Sequence, residues 1–466
     1  MEKIKAEIYR KTDEMRLRNL MGIMSLTDSI SLENYRHLVR EGKNGDETVD
    51  IWTDAFNAAL KEHQTVAVPG SDTPYYVDGT VIVPSNRCIV SEEDTVIRQT
   101  IGTEIILIRN ENAADGSNMP VRRGSEDVNI SILGGRWEES YTARLGYRKS
   151  GRYDNTETYL GVSTLMFFSN VKGLTVKDVT FANTAGFSLQ AGDAEDMWFE
   201  RIRFVNCFAD GLHINGNTEN ILIRDVKGHV GDDIVALNMY DWKNSSVNFG
   251  PMRTVLCEDV ELDEASGYKA FRVQPGQYRF ADGSVVDCSA EDIIIKNVRG
   301  MISYKLYFQT PAYKIGVEEP EWGGVGSGKN LFFEDITVDL AHPIDRFDGY
   351  EKSDPVRGNM GVFEIGANIE NISFENINIT LHRDKYPMSY LLTVGPKSSL
   401  IGDNLETEVF DPYLSSSVGS VTLKDITVNG EKITDHSEIV KTIRFCDINS
   451  DGRSTAEGVI NSISIS

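Results

Sequence analysis

A chain of 466 residues suggests about three domains on length alone. That prior fails where repeats extend one core along an axis, and one elongated unit is the expectation here. The 71 acidic against 47 basic residues give a net charge of −24, which disfavours unspecific attraction to nucleic acid or to an anionic membrane surface, and no stretch approaches the ~20 apolar residues of a membrane span.

Reading from the amino terminus, the run from Met1 to Asn19 is charged and lacks the apolar core of a secretory signal. The five cysteines, Cys88, Cys207, Cys257, Cys288 and Cys446, show neither zinc spacing nor a disulfide framework, so a reducing, cytoplasmic setting is expected. Residues 1 to 63 read as a helical segment. Leu17, Leu20, Met21 and Met24 fall at helical spacing there, and Val49, Trp52, Phe56, Ala59 and Leu60 form a second stripe. An amphipathic helix in this place is expected to cap the open first coil of a solenoid, with homo-oligomer formation through the helices as the competing reading.

From Gln64 the period changes. Thr65 to Pro69 and Tyr76 to Val83 read as short strands divided by Pro and Gly turns. A Lys43-Asn44-Gly45-Asp46 turn, a helix and these two strands, in that order, resemble the opening of many pectin-lyase-like β-helices. After Asn129 a degenerate unit recurs: an Asn or Asp, an Ile-x-Ile or Ile-x-Phe strand, one or two polar residues and a second apolar strand. Leu174, Met197 and Ile221 mark it at spacings of 23 and 24 residues. A repeat of that length without helical periodicity points to stacked parallel strands. The fold class expected for residues 64 to 466 is therefore all-β, a single-stranded right-handed parallel β-helix of pectin-lyase-like type, with residues 1 to 63 as its N-terminal α-helical cap. Leucine-rich repeats need a regular leucine framework and propellers about double the period, so both fit less well. Loops are expected after Trp242, at 279–287, 313–329, 342–359 and 396–417, walling a cleft on one side. Trp322, among them, is a candidate for stacking on a sugar.

Stacked coils make neighbours of residues far apart in the chain. Asp210 and Asp232 are 22 residues apart, about one coil, so Asp210, Asp232 and Asp233 are expected to converge on one small volume. A proton donor and a base or nucleophile, both carboxyl groups, are what hydrolysis of a glycosidic bond requires. At the same offset Leu212 and Ile214 overlay Ile234 and Ala236, which gives His213 and Asp233 the outward parity. Continuing the overlay adds Arg272, Gln274, Tyr307 and Glu364 to that outer face. Singly, each has a plainer reading: Asp210-Gly211 and Gly231-Asp232-Asp233 are common turn sequences, and Arg272 is a charge partner for Asp233. Asp178, Asp225, Asp259 and Asp335 recur at the polar corner of the units and read as structural. No histidines stand at convergent ligand spacing, so neither a metal nor another cofactor is expected.

The segment from 205 to 275 resembles the family 28 glycoside hydrolases, which include the polygalacturonases. The likeness lies in Asp210-Gly211-Leu212-His213-Ile214, in Gly231-Asp232-Asp233 about one coil later, and in Arg272-Val273-Gln274. It implies a hydrolase with Asp233 as general acid, Asp210 and Asp232 holding the attacking water, inversion at the anomeric carbon, and carboxyl groups ~6.5–9.5 Å apart. The family's Gly-His-Gly turn has no counterpart between Ile234 and Ser266, Ala209 precedes Asp210, and Gln274 replaces a lysine that would suit a uronate. The expected substrate is therefore a neutral or weakly acidic oligosaccharide or polysaccharide, cleaved in exo mode. Two other classes stay open: a polysaccharide lyase or sugar epimerase using Arg272 with Lys269 or Lys305, and a noncatalytic carbohydrate-binding solenoid.

Overall fold

The computed structural model describes residues 1–103, 105–113, 126–140, 164–241, 247–307, 322–340, 360–395, 415–447 and 454–466. The chain winds as a right-handed parallel β-helix, as the repeat predicts. In the longest ladder of strands the register runs through Ile130, Leu174, Met197, Ile221, Val255, Ile293, Leu331, Ile372, Val421 and Ile463. From Ile130 to Val421 none is more than 2% exposed, so the spacing read from the sequence is true coil-to-coil registry. A second ladder turns Met166, Leu189, Leu212 and Val235 inward, then Phe271, Tyr304, Phe363 and Leu392. Tyr304 and Phe363 stack along it with ring centroids 4.6 Å apart.

The corners explain the recurrent acids. Asp178, Asp225, Asp259 and Asp335 have φ of 59°, 53°, 60° and 54°, in the left-handed region where Asn and Asp are the side chains best tolerated. Their structural role is thus a backbone requirement, and the side chains then find local partners, such as Arg203 for Asp225 at 3.0 Å and Asn376 for Asp335 at 2.7 Å.

The first 63 residues depart from the expected helical segment. Helices α1 (Glu2–Met24) and α2 (Thr53–Glu62) are separated by the strands Ser29–Ser31, Arg40–Asn44 and Glu47–Ile51 and a 3₁₀ turn, Leu32–Leu38. Ser29–Ser31 already pairs in parallel with the strand Thr65–Val68. Val49 lies in a strand, while Trp52, Phe56, Ala59 and Leu60 pack into the main core and make α2 the cap.

Helix α1 does something else: it lies along the flank. One outward column of the long ladder is apolar through Trp198, Leu222, Leu256, Ile294 and Phe332, with Thr175 before it and Ser373 after it. Ile8 and Met15 of α1 cover that column. Polar anchors fix the helix. Lys5 reaches Glu334 at 2.5 Å and Glu375 at 3.0 Å, and Arg18 grips the Asp196 carboxylate at 2.9 and 3.1 Å. The buried face is Ile8, Thr12, Met15 and Asn19. The expected stripe points outward instead, with Leu17, Leu20, Met21 and Met24 exposed by 49, 37, 69 and 73%. Apolar periodicity alone picked the wrong face because ion pairs to residues distant in the sequence and a flat apolar column decide how α1 docks.

Among the described residues no helix is long and apolar enough to cross a membrane. Cys88, Cys207, Cys257 and Cys288 are buried free thiols whose pKa burial raises, and the Cys446 side chain lies outside the described residues.

Met15→Ala should lower the unfolding free energy by about 2–5 kcal/mol, as expected for a truncated core methionine. Met21→Ala should change it by less than about 0.5 kcal/mol. Urea unfolding of both variants checks this, and the opposite ranking would show that α1 docks by its other face.

Candidate active site

Asp210, Asp232 and Asp233 sit in the turns that precede the strands Leu212–Asn215 and Val235–Asn238. Turn residues escape strand alternation, which removes the inward parity that an ideal strand would impose on the first two. Glycine lets the turns stack this closely. A Cβ on Gly211 would lie 2.6 Å from the Ile234 carbonyl oxygen, and one on Gly231 would lie 2.4 Å from that of Phe208. The Gly211 N–H donates to the Asp233 carbonyl at 3.0 Å, and the Ser188 N–H to the Asp210 carbonyl at 3.0 Å.

One oxygen from each of Asp210, Asp232 and Asp233 lies within 4.8 Å of the others, and the residues are only 2, 4 and 0% exposed. Three such oxygens are close enough to share a cation, although nothing in the histidine or cysteine spacing pointed to a metal. The positive charge set against them is Arg272, whose Nη2 is 2.5 Å from Asp233 Oδ2 and 3.9 Å from Asp232 Oδ1. Burial pushes the Asp233 carboxyl up; Arg272 and Lys305 oppose this, Asp232 and Asp210 add to it, and the result is about 7.

His213 lies between two carboxylates. Nδ1 is 2.7 Å from Asp210 Oδ2, and Nε2 is 3.0 Å from Asp241 Oδ2. The ring stacks on Phe187 with centroids 3.9 Å apart. Burial alone would push the imidazole down, but the hydrogen bonds to Asp210 and Asp241 and the charges of both outweigh it and hold the group up to about 9.

His213, Arg272 and the three aspartates thus come together as expected, but the overlay was one residue short. Leu212 pairs with Val235, His213 with Ala236 and Ile214 with Leu237, an offset of 23. Asp233 rather than Asp232 therefore stands one coil from Asp210, and its N–H donates to Asp210 Oδ1 at 3.2 Å. Further on, Ala236 pairs with Arg272, Arg272 with Lys305, and Lys305 with Glu364. The neighbour of Arg272 is thus Lys305, and Tyr307 lies two residues farther along, 4% exposed. Glu364 holds the expected column. Gln274 does not present itself to a sugar: its Nε2 donates to Asp241 Oδ1 at 3.1 Å and to the Tyr240 carbonyl at 2.7 Å.

An open outer face was expected, yet the column is covered. Arg272, with its side chain 14% exposed, is the least buried of these residues. Trp322 pairs through its backbone with Tyr278 in a small antiparallel sheet beside Gly276–Arg279 and Val285–Cys288. Its side chain lies outside the described residues, as do Phe308, Gln309 and most of the expected loops at 313–329, 342–359 and 396–417.

Sequence reading missed Asp241 and the place of Lys305. Asn215, Asn238 and Gln274 share one register position, and Asn238 donates to Asp241 Oδ2 at 3.1 Å. That amide ladder, three residues ahead of Asp241, becomes visible only with the 23-residue overlay. The Lys305 Nζ lies 4.0 Å over the ring of Tyr268, far from it in sequence.

No family model matches the sequence, and no curated protein matches it. Solved structures do. A tailspike protein of E. coli bacteriophage HK620 in complex with a pentasaccharide is 11% identical, with 88% of this chain and 64% of that chain covered and a TM-score of 0.50. An iota-carrageenase complexed to iota-carrageenan fragments is 11% identical, covering 89% and 91%, with a TM-score of 0.44. A Yersinia enterocolitica family 28 exopolygalacturonase is 10% identical, covering 94% and 78%, with a TM-score of 0.43. At such identities the likeness bears on architecture alone, and what this chain shares is the parallel β-helix.

Proposed function

We propose that this chain is a glycoside hydrolase acting on an oligosaccharide or polysaccharide, with Asp233 as general acid and Asp210 and Asp232 as the holders of the attacking water. The observation that carries this reading is Asp233 itself. It is wholly buried, crowded by two other carboxyl groups and held up to about 7, so at neutral pH it has a proton to give. Donation to the glycosidic oxygen breaks the bond to the anomeric carbon, and Arg272, 2.5 Å away, receives the carboxylate that remains. A water loses its proton to Asp210 or Asp232 as it adds to that carbon. Direct attack by water inverts the centre. The acid oxygens, within 4.8 Å of one another, do not meet the ~6.5–9.5 Å expected of an inverting pair and lie nearer the ~5–5.5 Å of retaining ones, so the product anomer decides between direct attack by water and attack by a carboxylate.

A neutral or weakly acidic sugar, taken from a chain end, fits the surroundings. Gln274 is turned to Asp241, and around Arg272, Lys305 and His213 stand five carboxyl groups: Asp210, Asp232, Asp233, Asp241 and Glu364. A tailspike of the same architecture is known with a pentasaccharide bound. The reading requires the cover over Asp233 to open to a sugar. A lyase is the second reading, favoured by the register of Lys305 beside Arg272, and it predicts an unsaturated product absorbing in the ultraviolet.

Screening aryl glycosides of several sugars, with the product anomer followed by NMR, tests the assignment. Asp233→Asn should lower kcat by ~10²–10⁴-fold with the circular dichroism spectrum unchanged. Equal turnover by both proteins would end the acid assignment, and release of galacturonate from polygalacturonate would overturn the substrate class.

The pH dependence has a defined sign. The Asp233 carboxyl sits at about 7 in the folded chain, above the ~3.9 of an unfolded one, so its contribution to stability is fully present below about pH 4 and lost as pH rises through 7. Activity should fall over the same upper limit, because the acid must be protonated. Arg272→Met leaves Asp233 without its cation and should cost about 3–5 kcal/mol above pH 7, where the carboxyl is ionised in the wild type, and less below it. It should also move the upper limb of the kcat/KM profile to higher pH, and a limb that stays in place would show that Asp233 does not set it.

A further inference from the structure

The buried hydrogen bonds around His213 give a role to a residue outside the acid cluster. Resting on the hydrolase reading, we propose that Asp241 is a positioning residue. Together with Asp210 it holds His213 as an imidazolium by both ring nitrogens, and so fixes the Asp210 carboxylate against the water that it activates.

Nδ1 donates to Asp210 Oδ2 at 2.7 Å, and Nε2 meets three groups: Asp241 Oδ2 at 3.0 Å, Asn238 Nδ2 at 3.2 Å and Asn215 Nδ2 at 3.4 Å. The carboxylate is the nearest, and in a neutral imidazole Nε2 would turn a lone pair towards it. Two acceptors at that distance repel, and a proton on Nε2 converts the clash into a charge-assisted hydrogen bond. Asp241 is held in turn. Asn238 Nδ2 donates to its Oδ2 and Gln274 Nε2 to its Oδ1, each at 3.1 Å, and the residue is 1% exposed. Phe187 fixes the ring plane by stacking at 3.9 Å.

The charged groups facing His213 are Asp210, from the turn ahead of its own strand, and Asp241, from the segment after Val235–Asn238. Asn215, Asn238 and Phe187 are its neutral neighbours, and Arg272 on the following coil interacts with the charges of both aspartates. The histidine held up to about 9 agrees with this arrangement. Because its folded value lies above the ~6.5 of a free histidine, the stability it contributes is fully present below that pH and lost as pH rises through 9. The chain Gln274, Asp241, His213, Asp210 thus ties the strand that carries Arg272 to the water-holding acid.

The test is histidine-selective NMR of the full chain, wild type and Asp241→Asn, with the His213 signal assigned by His213→Gln, alongside kcat and KM. Wild-type His213 should remain protonated through about pH 8. In Asp241→Asn its midpoint should drop by about one pH unit or more. kcat should fall ~100-fold, the scale of a misplaced catalytic group, with KM changed by less than about threefold. A wild-type His213 that is neutral at pH 7, an unmoved midpoint in Asp241→Asn, or an unmoved kcat would each overturn the proposal. The wild-type titration decides even where the variant fails to fold. If the wild type hydrolyses no glycoside, the hydrolase reading fails, while the titrations still decide whether Asp241 keeps His213 charged.

Discussion

Parallel stacking at one strand spacing, ~4.8 Å, is the constraint on which this molecule rests. Each coil places its side chains directly on those of the next, so a position is apolar along its ladder or must find counter-charges along it. Inside, the ladder from Ile130 to Val421 answers with aliphatic and sulfur-bearing side chains buried to 2% exposure or less. Outside, the same geometry brings Asp210, Asp232 and Asp233 together. Like charges in a water-poor volume cannot all ionise freely. The structure relieves the crowding with Arg272 at 2.5 Å from Asp233 and with His213 between Asp210 and Asp241.

Two outward columns show what that rule can produce. One runs from Trp198 to Phe332, is wholly apolar, and would be an exposed sticky stripe without α1 laid over it. The other runs through Gln190, His213, Ala236, Arg272, Lys305 and Glu364, is polar apart from Ala236, and is hidden except for the partly exposed Arg272. A covered polar column is costly to build unless its members satisfy one another, as the bonds from Gln274, Asn238 and His213 to Asp241 do.

Much of this was legible in the sequence because coil length is a periodic property. Leu174, Met197 and Ile221 gave true register, and Asp210, Asp232, Asp233, His213 and Arg272 were correctly drawn together. The errors have one origin. Measuring the coil from Asp210 to Asp232 gave 22 residues where the strands repeat at 23, so Asp232 took the place of Asp233 over Asp210. Loops of unequal length then shifted the overlay further, and Tyr307 was aligned where Lys305 belongs. Side-chain destinations were beyond such counting: Gln274 has outward parity yet turns to Asp241, and α1 buries Met15 rather than Met21 because Lys5 and Arg18 find distant acids. Burial of the site was invisible for the same reason, since a parity argument says which way a residue points and not what lies over it.

The central claim is that stacking crowds buried carboxyl groups until one keeps its proton at neutral pH. Carbon-13 NMR of aspartate carboxyl groups, followed from pH 3 to 9 in the wild type and in Asp233→Asn, tests it without any substrate. The account predicts one carboxyl proton of the cluster leaving with a midpoint near 7, and that step vanishing in the variant. A wild-type spectrum in which every aspartate has ionised by about pH 5, close to the ordinary range, would contradict it.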